Sequence, residues 1–522
     1  MLDTIHTSDQ STFTATSRQP RYVLRVAWNR DVDETITWGV VGTSTVGGKD
    51  LVQGEQTIIT KPDTFNYIDE SERVMKIETE RILEEPLGGI AYAQADFTLD
   101  NTSLRFTPNI NSTVGTALLP NRPCKIYLGL KVNDVDKAVP NLYGLTGMPR
   151  EQKANRTVEI HAFDYLKFLD EFAIESTMYQ DQRSDEIIED ILLNKVGFST
   201  DQYVLAVGLN LIPFAWFEKG TTAGQAIRKL CEAEEGVFYQ DETGMLKFDN
   251  SRKAREAPWN SSVYTINPED VLLWEEESNP ILINRCVVKA EPRAVQAVQE
   301  VWRDGVVEEV QSGTTIEVWA HFDDPVTSIT TPVAGTDYIA NSASDGTGSV
   351  MTSQVSIAVT TFAQDAKLEI TNNGSGTAYL TVLRLRGTPA TLTASIDKIY
   401  EDNASISTYD RQELIIENNL IASESFARYL AQAIVNKYKT PRKSLIVTLP
   451  AIPTIQLKDI VTVKDLDQGT TKSYRVMRVQ NNMFPGEYTQ RLTLREVFAG
   501  ETDAWAIVGT TTVGDSDELV GI

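Results

Sequence analysis

The chain has 522 residues, enough for three or four domains of about 100–200 residues each. Its 48 Lys and Arg residues stand against 73 Asp and Glu residues, which gives a net charge of −25. Because neutralising phosphates requires clustered cations, and no long Lys or Arg run occurs, the composition argues against a protein that reads nucleic-acid sequence. The acidity alone fits two alternatives, a wall that DNA slides past and a surface charge that keeps a protein in solution.

The three cysteines, Cys124, Cys231 and Cys286, are odd in number and widely spaced. They cannot form a disulfide framework or a zinc spacing, so we expect them to be small buried apolar residues. Residues 1–19 are rich in Ser and Thr and lack an apolar run, which predicts a flexible leader rather than a signal peptide. No stretch approaches the roughly 18 apolar residues that cross a bilayer, so we expect no stable membrane insertion.

Strand signals dominate the first part of the chain, from residue 20 to residue 169. Residues 22–28, 95–99 and 125–130 are short, rich in β-branched and aromatic residues, and bounded by Asn, Asp, Gly or Pro. Residues 156–162 alternate between apolar and polar side chains. The pattern predicts a β-barrel or β-sandwich.

The apolar period becomes helical between residues 170 and 255. Ser184 is predicted to cap a helix that ends at Gly197, and Thr222 with Gln225 forms a capping box for a second helix. A hairpin follows at 237–248, so this part is predicted to be a small α+β module. The stripe of the first helix consists of Ile187, Ile188, Ile191 and Leu192.

Residues 313–395 show a composition shift toward Thr, Ser, Ala, Val and Gly. Along 378–386, Leu383 and Leu385 alternate with Arg384 and Arg386, which is typical of a strand with one buried face. The segment is therefore predicted to be an inserted β-sandwich.

The segment 396–500 has one clear helix signal followed by four strand signals. Ser423 is the predicted N-cap, Pro441 lies just beyond the helix, and its buried stripe is Phe426, Ala427, Leu430, Ile434 and Val435. The predicted strands are 444–449, 460–464, 473–479 and 490–496. In the last strand, Leu492 and Leu494 are expected to face inward, and Arg491, Thr493 and Arg495 outward.

One phrase occurs twice, at residues 38–47 and 505–514, with seven of ten positions identical. The copies are far too distant for a solenoid repeat. They predict one strand-and-turn element that is presented twice, to equivalent grooves of an assembly; two convergent edge strands rich in Gly, Thr and Val are the alternative. The predicted assembly and docking residues are Trp38, Val41, Val46, Trp505, Val508 and Val513.

No catalytic constellation stands out. The chain has three histidines, of which His6 lies in the leader, while His161 and His321 are flanked by strand residues and are expected to be structural. Zinc-protease, nucleophile-elbow, Walker and dinucleotide-binding motifs are absent. Carboxylate pairs are plentiful, as expected for so acidic a chain. We therefore predict no catalytic residues, no metal site and no cofactor.

Several phrases in order resemble a known family. Residues 93–108, 120–129 followed by 142–147, and 221–230 leading to 241–248 resemble the hub protein at the distal tip of tailed-phage tails, a relative of the trimeric baseplate hub. Residues 405–411 and 453–463 are similar to the second tube domain of that family. Asp410 and Lys458 stand where glycine is expected, so we expect both turns to adopt conformations that non-glycine residues tolerate.

The resemblance, which covers about residues 20–500, implies a mainly β fold with some α: two tube-type β-barrel domains, a small α+β module and an inserted β-sandwich. The implied division is 1–19 leader, 20–169 first tube-like domain, 170–255 α+β module, 256–312 start of the second tube-like domain, 313–395 insertion, 396–500 second tube-like domain and 501–522 C-terminal repeat segment.

The resemblance also implies a structural role without enzymatic activity, as a homotrimer whose two tube domains per copy form a pseudo-sixfold ring. Such a ring joins the tail tube to tip proteins and lets DNA pass without sequence-specific binding. The implied partners are distal tail, tail tube, tape-measure, and tip fibre or receptor-binding proteins, at a tail tip assembled in the host cytoplasm.

Two other classes of function remain open from the sequence. A receptor-binding protein could grip host-surface carbohydrate with the insertion, whose candidate aromatic residues are Trp319, Phe322, Tyr338, Phe362 and Tyr379. A wall-degrading enzyme is the third option, and the missing His, Cys and metal signatures argue against it.

Overall fold

A computed structural model describes residues 3–4, 18–29, 65–83, 87–108, 114, 117–253, 256, 259–464, 470–497, 505–506 and 518–519. The protein is mainly β with few helices, so the predicted fold class is confirmed. The helices are α1 Lys167–Glu171, α2 Ser184–Asp190, a π-helix Ile191–Val196, α3 Ala223–Glu232, α4 Asn403–Tyr409 and α5 Glu424–Tyr438, with 3₁₀-helices at Ser71–Arg73, Pro268–Asp270 and Thr352–Gln354.

The strands follow one another in chain order. Those of the first part are β1 Asp3–Thr4, β2 Pro20–Val26, β3 Ile68–Asp69, β4 Val74–Ile82, β5 Gly89–Ala91, β6 Ala93–Asp100, β7 Pro123–Val132, β8 Val135–Thr146, β9 Arg150–Gln152 and β10 Thr157–Asp164. The next are β11 Ala173–Ile174, β12 Tyr179–Arg183, β13 Tyr203–Leu205, β14 Leu211–Ala215, β15 Thr221–Thr222, β16 Val237–Gln240, β17 Leu246–Asp249, β18 Ser262–Ile266, β19 Leu273–Ile281 and β20 Arg285–Ala290.

The remaining strands begin with the insertion. They are β21 Arg293–Val295, β22 Gln299–Arg303, β23 Glu308–Val310, β24 Thr315–His321, β25 Val326–Ile329, β26 Tyr338–Asn341, β27 Val355–Thr361, β28 Asp365–Asn372, β29 Ala378–Leu392, β30 Ile396–Glu401, β31 Glu413–Glu417, β32 Arg442–Pro450, β33 Ile460–Lys464, β34 Thr471–Phe484, β35 Glu487–Glu496, β36 Trp505–Ala506 and β37 Glu518–Leu519.

The largest sheet contains the same six-stranded arrangement twice. The first unit has the order β4-β6-β10-β8-β7, then β2 and β3; the second has the order β19-β32-β35-β34-β33-β18. In both, a short strand, a 3₁₀-helix and a longer strand follow one another in the chain, β3 to β4 and β18 to β19. The first unit differs by one extra strand, β2, between β7 and β3. The chain therefore carries two copies of one β unit.

The two β units share one hydrophobic core, built by period-2 alternation. In β6 the inward residues Ala93, Ala95, Phe97 and Leu99 are buried, and Gln94 and Asp96 between them are exposed. Strand β35 contributes Leu492 and Leu494 to the same core. One face of the sheet is thus apolar and buried, and the other is polar.

The α+β module forms as the helix signals predicted, with one shift. The Thr222–Gln225 capping box is present, since the Thr222 Oγ1 accepts from the Gln225 amide at 3.1 Å and the Gln225 side chain accepts from the Thr222 amide at 3.0 Å. The first helix is capped by Arg183 rather than by Ser184, because the Glu186 carboxylate reaches back to the Arg183 amide (2.8 Å).

This module shares its core with residues that lie much later in the chain. Strands β20, β30 and β31 form one sheet, and helix α5 packs on it with Leu430 and Ile434 fully buried. These residues and helix α3 belong to one apolar cluster. Ser423 caps α5 as predicted, accepting from the Phe426 amide (3.4 Å). The packing therefore groups this sheet and helix with the module rather than with the second β unit.

The insertion is built of two sheets around its own core. Strand β29 pairs with β21, β22, β23, β25 and β26, and a second sheet has the order β24-β28-β27. Leu383 and Leu385 are buried as predicted, while Arg386 makes a bidentate contact with Asp337 (2.7 and 2.8 Å). The strands of these sheets begin at Arg293, upstream of the predicted start at 313.

Two side-chain expectations have clear outcomes. All three cysteines are free and buried, as predicted. Arg495 was expected to face outward, which is wrong, because its side chain is 4% exposed. Arg495 lies between Ser444 of β32 and Arg475 of β34, and at this end of β35 the Arg442 guanidinium reaches the Glu496 carbonyl oxygen (3.3 Å).

The expectation that Asp410 and Lys458 adopt backbone conformations ordinary for non-glycine residues is also wrong. Asp410 has φ 61° and ψ 169°, and Lys458 has φ 76°, so both keep the left-handed backbone of a glycine despite carrying side chains. The Asp410 values fall in a region that is almost restricted to glycine and that costs about 1–3 kcal/mol for other residues. The structure therefore stores backbone strain at these two turns.

We expect Asp410→Gly to stabilise the protein by about 1 kcal/mol, because the relieved strain exceeds the extra entropy that glycine loses on folding. In a thermal melt, the transition of this region should rise by about 2–4 °C. Asp410→Ala is the matched control, since it removes the carboxylate but keeps Cβ. An equal rise with alanine would show that the carboxylate, not the backbone, is the cause.

Candidate assembly surfaces

The two β units are joined edge to edge by one strand pair. The second half of β34 runs antiparallel to β4, from Arg478 opposite Ile82 to Met483 opposite Ile77. Across this joint, the Asn481 amide donates to the Thr79 hydroxyl (3.1 Å) in a buried position. The pairing makes one continuous sheet out of two units.

The first half of β34 pairs with β33, so only its second half is available to β4. In the first unit, β8 followed by β9 occupies the place of β34, and β10 occupies the place of β35. Strand β9 therefore corresponds to the half of β34 that makes the joint. Strand β19 corresponds to β4 in the same way, because each stands first in the strand order of its unit.

These two corresponding strands are open edges of the described sheet, as are β3 and β18 at the far ends of the two units. Strand β9 pairs with β10 on one side, and β19 pairs with β32 on one side; within the described residues neither has a partner on its other side. Exposed apolar side chains accompany both edges, with Met148 65% exposed beside β9 and Leu273 45% exposed on β19. Open edges of this kind are templates for strand addition.

The outward face of the continuous sheet, from β19 across the joint to β9, is polar; we refer to it as the polar face. Opposite charges pair on it: Arg491 with Glu275 (2.9 Å), Arg478 with Glu80, and Lys76 with Glu78 (2.7 Å). A groove of about 400 Å³ crosses this face, lined by Lys76, Glu78, Asp96, Phe97, Thr98, Met148, Arg150, Glu159, Ile160 and His161.

Most of the predicted docking residues lie outside the described part of the chain. These are Trp38, Val41, Val46, Val508 and Val513. Trp505 begins β36, which pairs in parallel with β37, Trp505 opposite Glu518. The docking role of the repeated phrase therefore stays a prediction.

The histidines that the structure describes are each bonded to a carboxylate. The His161 Nδ1 lies 2.7 Å from Asp96 and the His321 Nδ1 lies 2.9 Å from Asp365. In the described ranges, no group of three or more His, Cys, Asp or Glu side chains is placed to hold a metal ion. Among the same residues, no helix has the length and hydrophobicity needed to cross a membrane.

The aromatic candidates for sugar binding are largely occupied by packing. Phe322 and Tyr338 are buried in the core of the insertion. The Trp319 ring stacks on Phe362 at 6.1 Å, and the Lys219 ammonium lies 3.6 Å from its centroid. Trp319 is nevertheless 42% exposed, so the carbohydrate-binding alternative stays a prediction.

A buried carboxylate fixes one loop of the module. The Glu234 Oε2 accepts from the amides of Leu209 (2.7 Å) and Asn210 (2.8 Å) and from the Ser184 hydroxyl (3.2 Å). Burial raises the pKa of Glu234 to about 7, and the two amides oppose that shift. Ionising Glu234 inside the protein therefore costs free energy, although three donors contact its carboxylate.

Sequence comparison leaves the family open, since no family model and no curated protein matches the chain. Several similar solved structures are phage tail proteins. The tail protein of prophage MuSo2 from Shewanella oneidensis is 12% identical, with a TM-score of 0.43 over 84% of this chain and 97% of that one. A tail protein from Neisseria meningitidis is 11% identical, with a TM-score of 0.44 over 93% of this chain and 99% of that one.

A third similar structure is the prophage tail protein gp18 from Listeria monocytogenes, 8% identical, with a TM-score of 0.40 over 83% of this chain and 91% of that one. Further matches include a component of a type VI secretion system and the baseplate of phage P2. These are the class of protein that the sequence resemblance named. With TM-scores below 0.5, the roles of those proteins do not transfer to this chain by likeness.

Glu234 should make stability fall as the pH rises. The unfolded carboxyl ionises near its ordinary pKa of 4.5 while the folded one stays protonated to about 7, so folding stability is lost between these values. From pH 4.5 to pH 8 we expect the wild type to lose roughly 2–3 kcal/mol more than Glu234→Gln, which keeps an acceptor oxygen but cannot ionise.

Denaturation melts at several pH values measure this difference. Glu171→Gln is the control, because that carboxylate is 55% exposed. Parallel pH profiles of the wild type and Glu234→Gln would contradict the prediction.

Proposed function

We propose that the chain is a structural hub protein at the distal end of a phage tail, where three copies form a pseudo-sixfold ring. The observation that carries the proposal is the duplication: two β units of the same strand order in one sheet, so that three copies present six equivalent units. The sequence resemblance to tail-tip hubs points the same way. No enzymatic role is part of the proposal.

The joint inside the chain supplies a template for the joints between copies. Because β34 pairs with β4 within one copy, the corresponding contact places β9 of one copy against β19 of the next. Both strands have an open side in the described sheet. Repeating this contact three times closes a ring and covers the β9 and β19 edges, which would otherwise be free to aggregate.

In such a ring the polar face would line the channel. Its arginines at 478 and 491 are paired with carboxylates, and the chain as a whole is strongly acidic. Double-stranded DNA binds surfaces that offer unneutralised cations. A wall of paired charges would therefore let DNA pass without holding it. The ring would join the tail tube and distal tail proteins above to tip fibre or receptor-binding proteins below, with tape-measure protein inside.

A proline in β19 tests the ring. The Thr448 carbonyl of β32 points to β19, and Ile446, two residues away, pairs with Glu275. The Glu275 amide therefore faces β32, and the next amide, that of Glu276, points to the open side. Glu276→Pro removes that donor and should convert a trimer into a monomer in light scattering coupled to size-exclusion chromatography. Glu276→Ala loses the same carboxylate but keeps the amide, and should remain trimeric. A monomeric wild type, or a trimeric proline variant, would contradict this closure.

The repeated phrase makes a separate prediction for the assembled tail. If the two copies dock to equivalent grooves, Trp38→Ala and Trp505→Ala should lower the yield of infectious tails to a similar extent, and deletion of 505–522 should do so without unfolding the chain. Plaque titres and electron microscopy of tails measure both effects. A loss at one tryptophan alone would show that the copies are not equivalent.

A further inference from the structure

One lysine is buried where the second β unit meets the α+β module. Lys458, in the turn before β33, has a side chain 6% exposed, and its Nζ contacts the Oδ2 of Asp249 at the end of β17. The Asp249 side chain is 12% exposed. In the other lysine–carboxylate pairs of the described residues, the lysine side chains are at least 18% exposed.

A single hydroxyl touches both members of this pair. The Tyr239 hydroxyl on β16 donates to the Asp249 Oδ2 at 2.9 Å in a buried position. The Tyr239 hydroxyl oxygen also lies 3.4 Å from the Lys458 Nζ. Tyr239 is therefore placed to accept a proton from the amine while it donates one to the carboxyl oxygen.

The surroundings exclude water and fix the geometry. The Lys458 ammonium lies 4.6 Å from the ring centroid of Tyr239 and 4.8 Å from that of Trp259. Burial lowers the pKa of Lys458, although Asp249 opposes that shift, so the neutral amine becomes more accessible there than in water. The strained backbone is held by the Lys458 amide, which donates to the Val476 carbonyl oxygen (2.9 Å).

A buried amine against a carboxyl group, with a shared proton relay and little water, is the arrangement that favours condensation over hydrolysis. We propose that Lys458 and Asp249 join through an isopeptide bond between Nζ and Cγ. This inference does not depend on the proposed tail function.

The step needs no further reactant. A proton passes from the ammonium to the carboxylate, giving a neutral amine and a carboxylic acid. The Nζ lone pair attacks Cγ, the C–N bond forms, and the C–O bond to the hydroxyl breaks. The second amine proton reaches the leaving hydroxyl through Tyr239, so one water molecule departs and an amide remains. No atom is oxidised or reduced.

Such a bond would fasten the second β unit to the module covalently. A noncovalent ion pair at the same place can separate under denaturant or force, whereas an amide cannot. The cross-linked chain should therefore keep a closed loop from residue 249 to residue 458 even when unfolded, and the insertion lies within that loop.

The mass of the intact, denatured full-length chain tests the proposal. We expect a mass lower than the sequence value by one water molecule, and a branched proteolytic peptide that contains both Lys458 and Asp249. The sequence mass without loss, and two separate linear peptides, would overturn the proposal and leave a buried ion pair.

Variants show which residues are needed for the loss of one water molecule. Lys458→Arg keeps the charge but lacks the nucleophilic amine, and its mass should equal the sequence value. Tyr239→Phe keeps the ring and should lose most of the cross-linked product; full cross-linking in this variant would overturn the relay role. Lys289→Arg, which alters an exposed lysine paired with Glu417, is the control and should retain the loss of one water. The wild-type mass decides the proposal by itself, and circular dichroism of each variant separates a lost bond from a lost fold.

Discussion

The antiparallel pairing of β34 with β4 is the contact on which the architecture depends. It merges two β units of the same strand order into one sheet with a single apolar core beneath it. It also determines which corresponding strands stay open. Strand β9 corresponds to the second half of β34 and β19 corresponds to β4, and within the described chain neither has a pairing partner on its outer side. Edges are costly to leave open, and the two edges here are complementary in direction and place. The proposed ring follows from this single joint repeated between copies.

Local features of the fold were readable from the sequence because they depend on neighbours along the chain. The capping box at Thr222 and Gln225, the cap at Ser423 and the alternation of Leu383 with Arg384 each need only a few adjacent residues. The joint and the open edges were not readable. They arise from pairings between residues about 400 positions apart, such as Gln480 with Glu80, for which a single sequence carries no signal.

The wrong predictions at Arg495, Asp410 and Lys458 have one physical cause. Contacts with residues distant in the chain outweigh the preference set by neighbouring residues. Alternation predicted an outward Arg495, but this residue, opposite Ser444 and Arg475 on the two flanking strands, is buried. The side chains at Asp410 and Lys458 predicted ordinary backbone, but both turns keep left-handed angles. At Lys458 the compensation is visible, since its amine contacts Asp249 and two aromatic rings. The turn thus has a glycine-like backbone although it carries a side chain, and that side chain has a buried partner on another element.

The hairpin of β16 and β17 contacts more than one body. Strand β16 pairs with β5, Gln240 donates to the Tyr143 carbonyl oxygen (2.6 Å), and Asp249 contacts Lys458. The hairpin is thus attached to the first β unit at one end and to the second at the other. Two β units joined only along one strand pair could bend about that pair. A hairpin that contacts both units opposes such bending. We therefore expect the hairpin to restrain the angle between the two β units, so that a force on the module reaches both of them together.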